Sequence, residues 1–110
     1  MVKVTFTESG KKLSLRVEGH AGFAPIGEDM ICASATILAY TVAQFVKLAM
    51  ERGDLVSSPE INLEKGYAFV SCEPTEEAAY ETQNMYAFAK LGYQLLAHNY
   101  PQYVRLEAST

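Results

Sequence analysis

A histidine and a cysteine, His20 and Cys32, lie twelve residues apart in the segment EGHAGFAPIGEDMIC. Together these two types can do nucleophilic chemistry. The thiolate is the reactive form of cysteine, and a neighbouring imidazole can take the thiol proton and leave an ion pair. They can also be unrelated. A cysteine in an apolar helix is usually a small core residue, and a histidine at a strand end is usually only exposed. A metal site is the third option, because the chain also carries Cys72 and His98. None of the spacings gives the close ligand pairs of a structural zinc site, so no metal is expected.

The flanking sequence says what must position the pair. Val2, Val4 and Phe6 alternate with polar residues, Glu8 to Lys11 read as a turn, and Leu13, Leu15 and Val17 alternate again. That pattern predicts a hairpin. Gly19 ends the second strand and leaves His20 at its mouth, where a loop can expose a group that the sheet holds. Ala21 to Glu28 reads as a loop, with Gly22, Pro25 and Gly27 as breakers. Asp29 has the type and place of a helix N-cap. The spacing then predicts a helix from about Met30 to Arg52, with Lys47 and Arg52 toward its negative end and Gly53 as its C-cap. Cys32 would fall in the first turn, where unpaired N–H groups and the dipole favour an anion. The residue pattern leaves the catalytic pair and the core thiol level. Cys72 shares a strand face with Ala68 and Val70, so a buried thiol is the expectation there.

The rest of the chain supplies a second hairpin and helix. Ile61 and Leu63 lead into the turn Lys65-Gly66, and Tyr67 to Glu73 return. Pro74 to Glu77 has the composition of a helix start, and the helix runs to about His98. Asn99 to Gln102 breaks it, and Tyr103 and Leu106 suggest a last strand. The order ββαββαβ predicts an α+β domain, a small mostly antiparallel sheet with two long helices packed on it. The first helix is apolar on nearly every side and asks for cover on more than one face. Tyr86, Tyr93 and Tyr100 recur at heptad spacing, with Tyr80 just before them. They fit either an interface or side chains leaning over the sheet edge with hydroxyls in water.

Composition bounds the function. The 110 residues suit one domain, 1–110, with 49% hydrophobic and 20% charged residues. A net charge of −4 and a pI near 5.1 argue against direct nucleic-acid binding, which wants a basic face. The opening MVKVTFTESGKK is too polar for a signal-peptide core. The longest uncharged run, Met30 to Val46, is marginal in length and carries Cys32, Ser34, Thr36, Thr41 and Gln44, so a buried helix is expected and not a membrane span. Two cysteines in such a chain read as free thiols, and the cytoplasm is the expected compartment.

The pattern G-H-A-G-x-x-x-x-G-x-D-x-x-C-A, here Gly19 to Gly22, Gly27, Asp29 and Cys32-Ala33, resembles the signature of the bacterial ribosomal-processing cysteine protease family, Prp. The resemblance covers nearly the whole chain and includes the closing Tyr100-Pro101-x-Tyr103-Val104. It implies a Cys–His endopeptidase without cofactor that removes an N-terminal extension from ribosomal protein number twenty-seven of the large subunit. It also implies a homodimer and a His-to-Cys loop that orders on peptide. Carried over, Cys32 is the nucleophile and His20 the general base; Asp29 is the family's acid, either orienting His20 or capping the helix. Thr36 stands where family members commonly have serine, and keeps the hydroxyl one turn after the cysteine. Gly22, Phe23, Ile26 and Gly27 are the candidate substrate contacts, and Glu28 could meet basic residues after the cut. A non-catalytic ribosome-associated binding module is the alternative, and a thiol redox sensor the third reading. Rapid alkylation of Cys32 and not of Cys72 would favour the enzyme, and loss of that reactivity in His20→Ala would exclude the sensor.

Overall fold

The computed structural model describes residues 1–19 and 26–109, with the backbone alone at 26–29 and 109. The elements are β1 (Val2–Ser9), β2 (Lys12–Glu18), α1 (Ile26–Glu51), β3 (Glu60–Glu64), β4 (Tyr67–Cys72), α2 (Ala79–Asn99) and β5 (Val104–Ser109). The α+β order expected from the sequence is the order observed. Five strands form one sheet in the order β3-β4-β2-β1-β5. Every pairing is antiparallel except β1 with β5, which are parallel.

The strand alternation decides which face is covered. Val4 pairs with Val17 and Val17 with Ala68; Phe6 pairs with Leu15 and Leu15 with Val70. Because alternate side chains share a face, these residues line one side of the sheet. All are buried, together with Ile31, Ala35, Ala39, Val42 and Val46 of α1 and Tyr86, Ala89 and Tyr93 of α2. Both helices therefore lie on the same sheet face. The opposite face carries Lys3, Thr5, Ser14 and Arg16, with the Arg16 guanidinium 5.0 Å from the Phe69 ring centroid. A stack of this kind covers the apolar ring without burying the charge.

The start of α1 differs from the sequence expectation. The helix begins at Ile26, so Asp29 lies inside its first turn and is not its N-cap. Of the residues that the sequence marks as breakers, Pro25 lies outside the described residues and Gly27 falls in the first turn of α1, where the acids Glu28 and Asp29 suit the dipole. The other end matches the expectation. Gly53 has φ +78, its N–H donates to the Met50 carbonyl at 3.1 Å, and the Asp54 N–H donates to Ala49 at 2.9 Å. Those two bonds form a Schellman cap, which needs the left-handed residue that glycine supplies.

The second helix starts later than Pro74. Pro74 bridges to Leu55, and Thr75 Oγ1 accepts from the Ala78 N–H at 3.3 Å, so α2 proper begins at Ala79. Its buried stripe is Thr82, Tyr86, Ala89 and Tyr93. Tyr86 and Tyr93 are thus core residues, neither interface groups nor edge groups with hydroxyls in water. The Tyr86 hydroxyl donates to the Val70 carbonyl at 3.1 Å, and the Tyr93 hydroxyl donates to the Ala35 carbonyl at 2.7 Å. Tyr80 and Tyr100 are exposed.

Burial pushes both buried phenols well above the ordinary tyrosine range, and the neighbouring Cys72 thiol adds to the effect at Tyr86. The unfolded chain gives up those protons near pH ~10. The folded chain keeps them, so the stability present below that pH falls as pH rises beyond it. In an alkaline titration, the phenolate absorbance of this pair should appear only with the loss of far-ultraviolet circular dichroism. Ionisation of every tyrosine with the fold intact would contradict the burial of their hydroxyls.

Candidate active site

Cys32 lies in the second turn of α1, half-buried and packed against the edge of the core. Cα–Cβ bonds tilt toward a helix's N-terminus, so its side chain leans back over the turn that holds Glu28 and Asp29. Asp29, Cys32 and Thr36 are spaced three and four residues apart, which places them on one side of the helix. Thr36 is exposed. His20, Gly22 and Phe23 lie outside the described residues. Ile26 and Gly27 fall in the first turn of α1.

The earlier helix start changes the electrostatic reading of Cys32. The first N–H groups of a helix have no partner within it, and here that first turn opens at Ile26, six residues before Cys32. The Cys32 N–H is inside the hydrogen-bonded ladder, and the dipole's effect falls off within the first turn. An oxyanion at this helix end would therefore meet first-turn donors and not the N–H of Cys32 itself.

The two thiols differ sharply. Cys72 is 2% exposed on β4, with its sulfur 3.7 Å from the Tyr86 hydroxyl. Burial pushes the Cys72 thiol up, and the Tyr86 hydrogen bond offsets part of that. A buried thiol of this kind is inert in the folded state. Both cysteines are free. Of the two, Cys32 is the one that reaches solvent, being half-buried where Cys72 is buried.

Tyr93 is the supporting residue that the sequence reading missed. Its hydroxyl holds the Ala35 carbonyl, one turn beyond Cys32, so the core of the domain grips the helix just behind the thiol. The signal was available: Thr82, Tyr86, Ala89 and Tyr93 follow the i, i+4, i+7, i+11 spacing of a buried helical face. Among the described residues no three histidine, cysteine or acidic side chains come together as metal ligands. An open hollow lined by Arg52, Asp54, Thr75, Glu76 and Glu77 lies at the far end of α1, about 30 Å of helix from Cys32. There the Arg52 Nε already donates to Asp54 at 3.0 Å.

A family model described as cysteine protease Prp matches residues 1–105. This chain belongs to the Prp cysteine protease family. The Prp fold recurs in solved structures of low identity. SMU.848 from Streptococcus mutans has a TM-score of 0.71 at 23% identity, covering 100% of this chain and 96% of that one. An essential ribosomal processing protease Prp from S. aureus, in complex with a covalently linked product peptide, has a TM-score of 0.69 at 21% identity, covering 98% and 99%. The same S. aureus Prp with a substrate peptide gives 0.69 at 20% identity, again covering 98% and 99%. No curated protein matches the chain.

Proposed function

We propose that this Prp family member is a ribosomal processing endopeptidase that removes the N-terminal extension of large-subunit ribosomal protein number twenty-seven. Cys32 is the nucleophile and His20 the general base. The observation that carries this reading is the contrast between the thiols: in a chain that belongs to a cysteine protease family, Cys72 is sealed in the core and Cys32 is not.

The chemistry follows from the residue types. His20 takes the proton of Cys32, and the sulfur attacks the scissile carbonyl to form a tetrahedral oxyanion. Collapse breaks the peptide C–N bond, and the imidazolium gives its proton to the leaving amine. A thioacyl-enzyme remains, which water hydrolyses to the carboxylic acid while the sulfur regains its proton. The first-turn N–H groups of α1 are the donors that the helix offers to the oxyanion. Asp29, three residues before Cys32, orients His20, and the segment from Gly22 to Gly27 with Thr36 meets the peptide.

The enzyme acts in the cytoplasm as a homodimer, with no direct contact to nucleic acid. Support for a second copy comes from the helix layer. Met30, Ile37 and Leu48 of α1 and Phe88, Leu91 and Leu95 of α2 are exposed. The helical repeat puts them on the side away from the sheet, where six large apolar groups would otherwise face water. By length and hydropathy Met30–Glu51 also passes as a membrane span, yet its other side is packed on the sheet.

The test mixes the protein with the full-length, unprocessed ribosomal protein and reads the substrate's N-terminus by mass. A single shortened product is expected. An uncut precursor would refute the reading.

A further inference from the structure

We propose that Gly19, gripped between the Met1 carbonyl and the turn before β4, is a positioning residue for His20. The inference rests on the reading of His20 as general base. Glu18 makes the last ladder pairs of β2, with Lys3 on one side and Tyr67 on the other. The chain is nonetheless held for one residue more. The Gly19 N–H donates to the Gly66 carbonyl at 3.0 Å. On the opposite side a Cβ at Gly19 would run into the Met1 carbonyl oxygen, and would lie 3.3 Å from the Met1 carbonyl carbon and 3.6 Å from the Val2 Cα. All three are main-chain atoms, so no rotamer change relieves the contact. Neither can β1 shift easily, because the Val2 N–H donates to the Tyr103 carbonyl at 2.7 Å. Gly19 also has φ +98, a conformation that favours glycine.

The paired registers of β2 end at Glu18, and the bond to Gly66 carries the hold one residue further. Glycine takes the positive φ there without the strain that any side chain would bring. The next residue in the chain is His20. A main-chain clamp directly before a general base sets where the base's backbone leaves the sheet. A displacement on the order of 1 Å there costs about a hundredfold in rate. A side chain at residue 19 pushes the chain off Met1 and carries His20 with it.

The experiment compares the wild type, His20→Ala, Gly19→Ala, and the wild-type and Gly19→Ala chains made without Met1. Folding is checked by circular dichroism and thermal melting. Cleavage of the extended ribosomal protein is read as kcat and KM, and Cys32 alkylation is followed with iodoacetamide at pH 6.5. Gly19→Ala is expected to lose at least tenfold in kcat with KM within threefold, and its Cys32 alkylation should slow to that of His20→Ala. Leaving out Met1 removes the obstructing carbonyl. It should restore Gly19→Ala to within threefold of the Gly19 chain that also lacks Met1, a rescue that general destabilisation would not show. If wild type cleaves and Gly19→Ala cleaves within threefold of it, the positioning role is wrong and the protease reading stands. If Gly19→Ala is impaired and omission of Met1 brings no recovery, the clamp is likewise overturned. If wild type does not cleave and His20→Ala leaves alkylation unchanged, both readings fall together.

Discussion

Cys32→Ala should abolish cleavage and leave the domain folded. The expected loss in kcat/KM is on the order of 10⁴-fold or more, the scale seen when a covalent nucleophile is removed. The stability cost should be about 1 kcal/mol or less, because Cys32 is half-buried and only touches the rim of the core. The same variant separates the thiols. Wild type should lose one thiol quickly to iodoacetamide at pH 6 to 7, and Cys32→Ala should lose none on that timescale. Cys72 should react at least about tenfold more slowly than Cys32, since its sulfur is buried against Tyr86 and its thiol is pushed up by desolvation. Both would react in denaturant. Equal, slow labelling of both cysteines in the native protein would return Cys32 to the ordinary core thiols and favour a binding module.

Tyr93→Ala carries the largest expected stability loss. Tyr93 is fully buried, its ring lies edge-on to Phe6 with centroids 5.8 Å apart, and its hydroxyl holds Ala35. Removing the ring opens a cavity under both helices and costs about 3–5 kcal/mol. That is a large share of the roughly 5–15 kcal/mol that holds a domain folded. Tyr93→Phe keeps the ring and removes only the donor. The Ala35 carbonyl still has its helical partner, so about 1 kcal/mol is expected. Urea unfolding of the three proteins measures the ordering. A Tyr93→Ala midpoint equal to that of Tyr93→Phe would mean that the ring contributes little. Because the bond meets the helix one turn past Cys32, Tyr93→Phe also reports whether the core's hold on that helix affects turnover.

Much of this was legible in the sequence, for a specific reason. The strands Val2–Ser9 and Lys12–Glu18 each have one dry face and one wetter one, so the period of two is plain. Gly53 was readable because a left-handed cap admits few other residues. The start of α1 was not. Gly27 and Asp29 each have two local meanings, breaker or first turn, loop acid or dipole partner, and tertiary packing decides between them. The tyrosines misled through their polar end. Their hydroxyls suggested water, and only three-dimensional proximity shows that carbonyls of Val70 and Ala35 satisfy them. For Cys32 and His20, residue types alone left two readings level. What favours the catalytic one is the resemblance of Gly19 to Ala33 to the family signature, and the family itself matches over residues 1–105.

The parallel pairing of β1 with β5 has a consequence for how the molecule assembles. Val2 meets Val104, so the first strand gains its outer neighbour only after the intervening three strands and two helices have been synthesised. Until then β1 is an unprotected sheet edge, a template for the wrong partner. Joining strands so distant in the chain adds little entropy per extra residue, but it raises contact order and slows the final step. The hairpin of β1 and β2 can form early and locally; the sheet closes late.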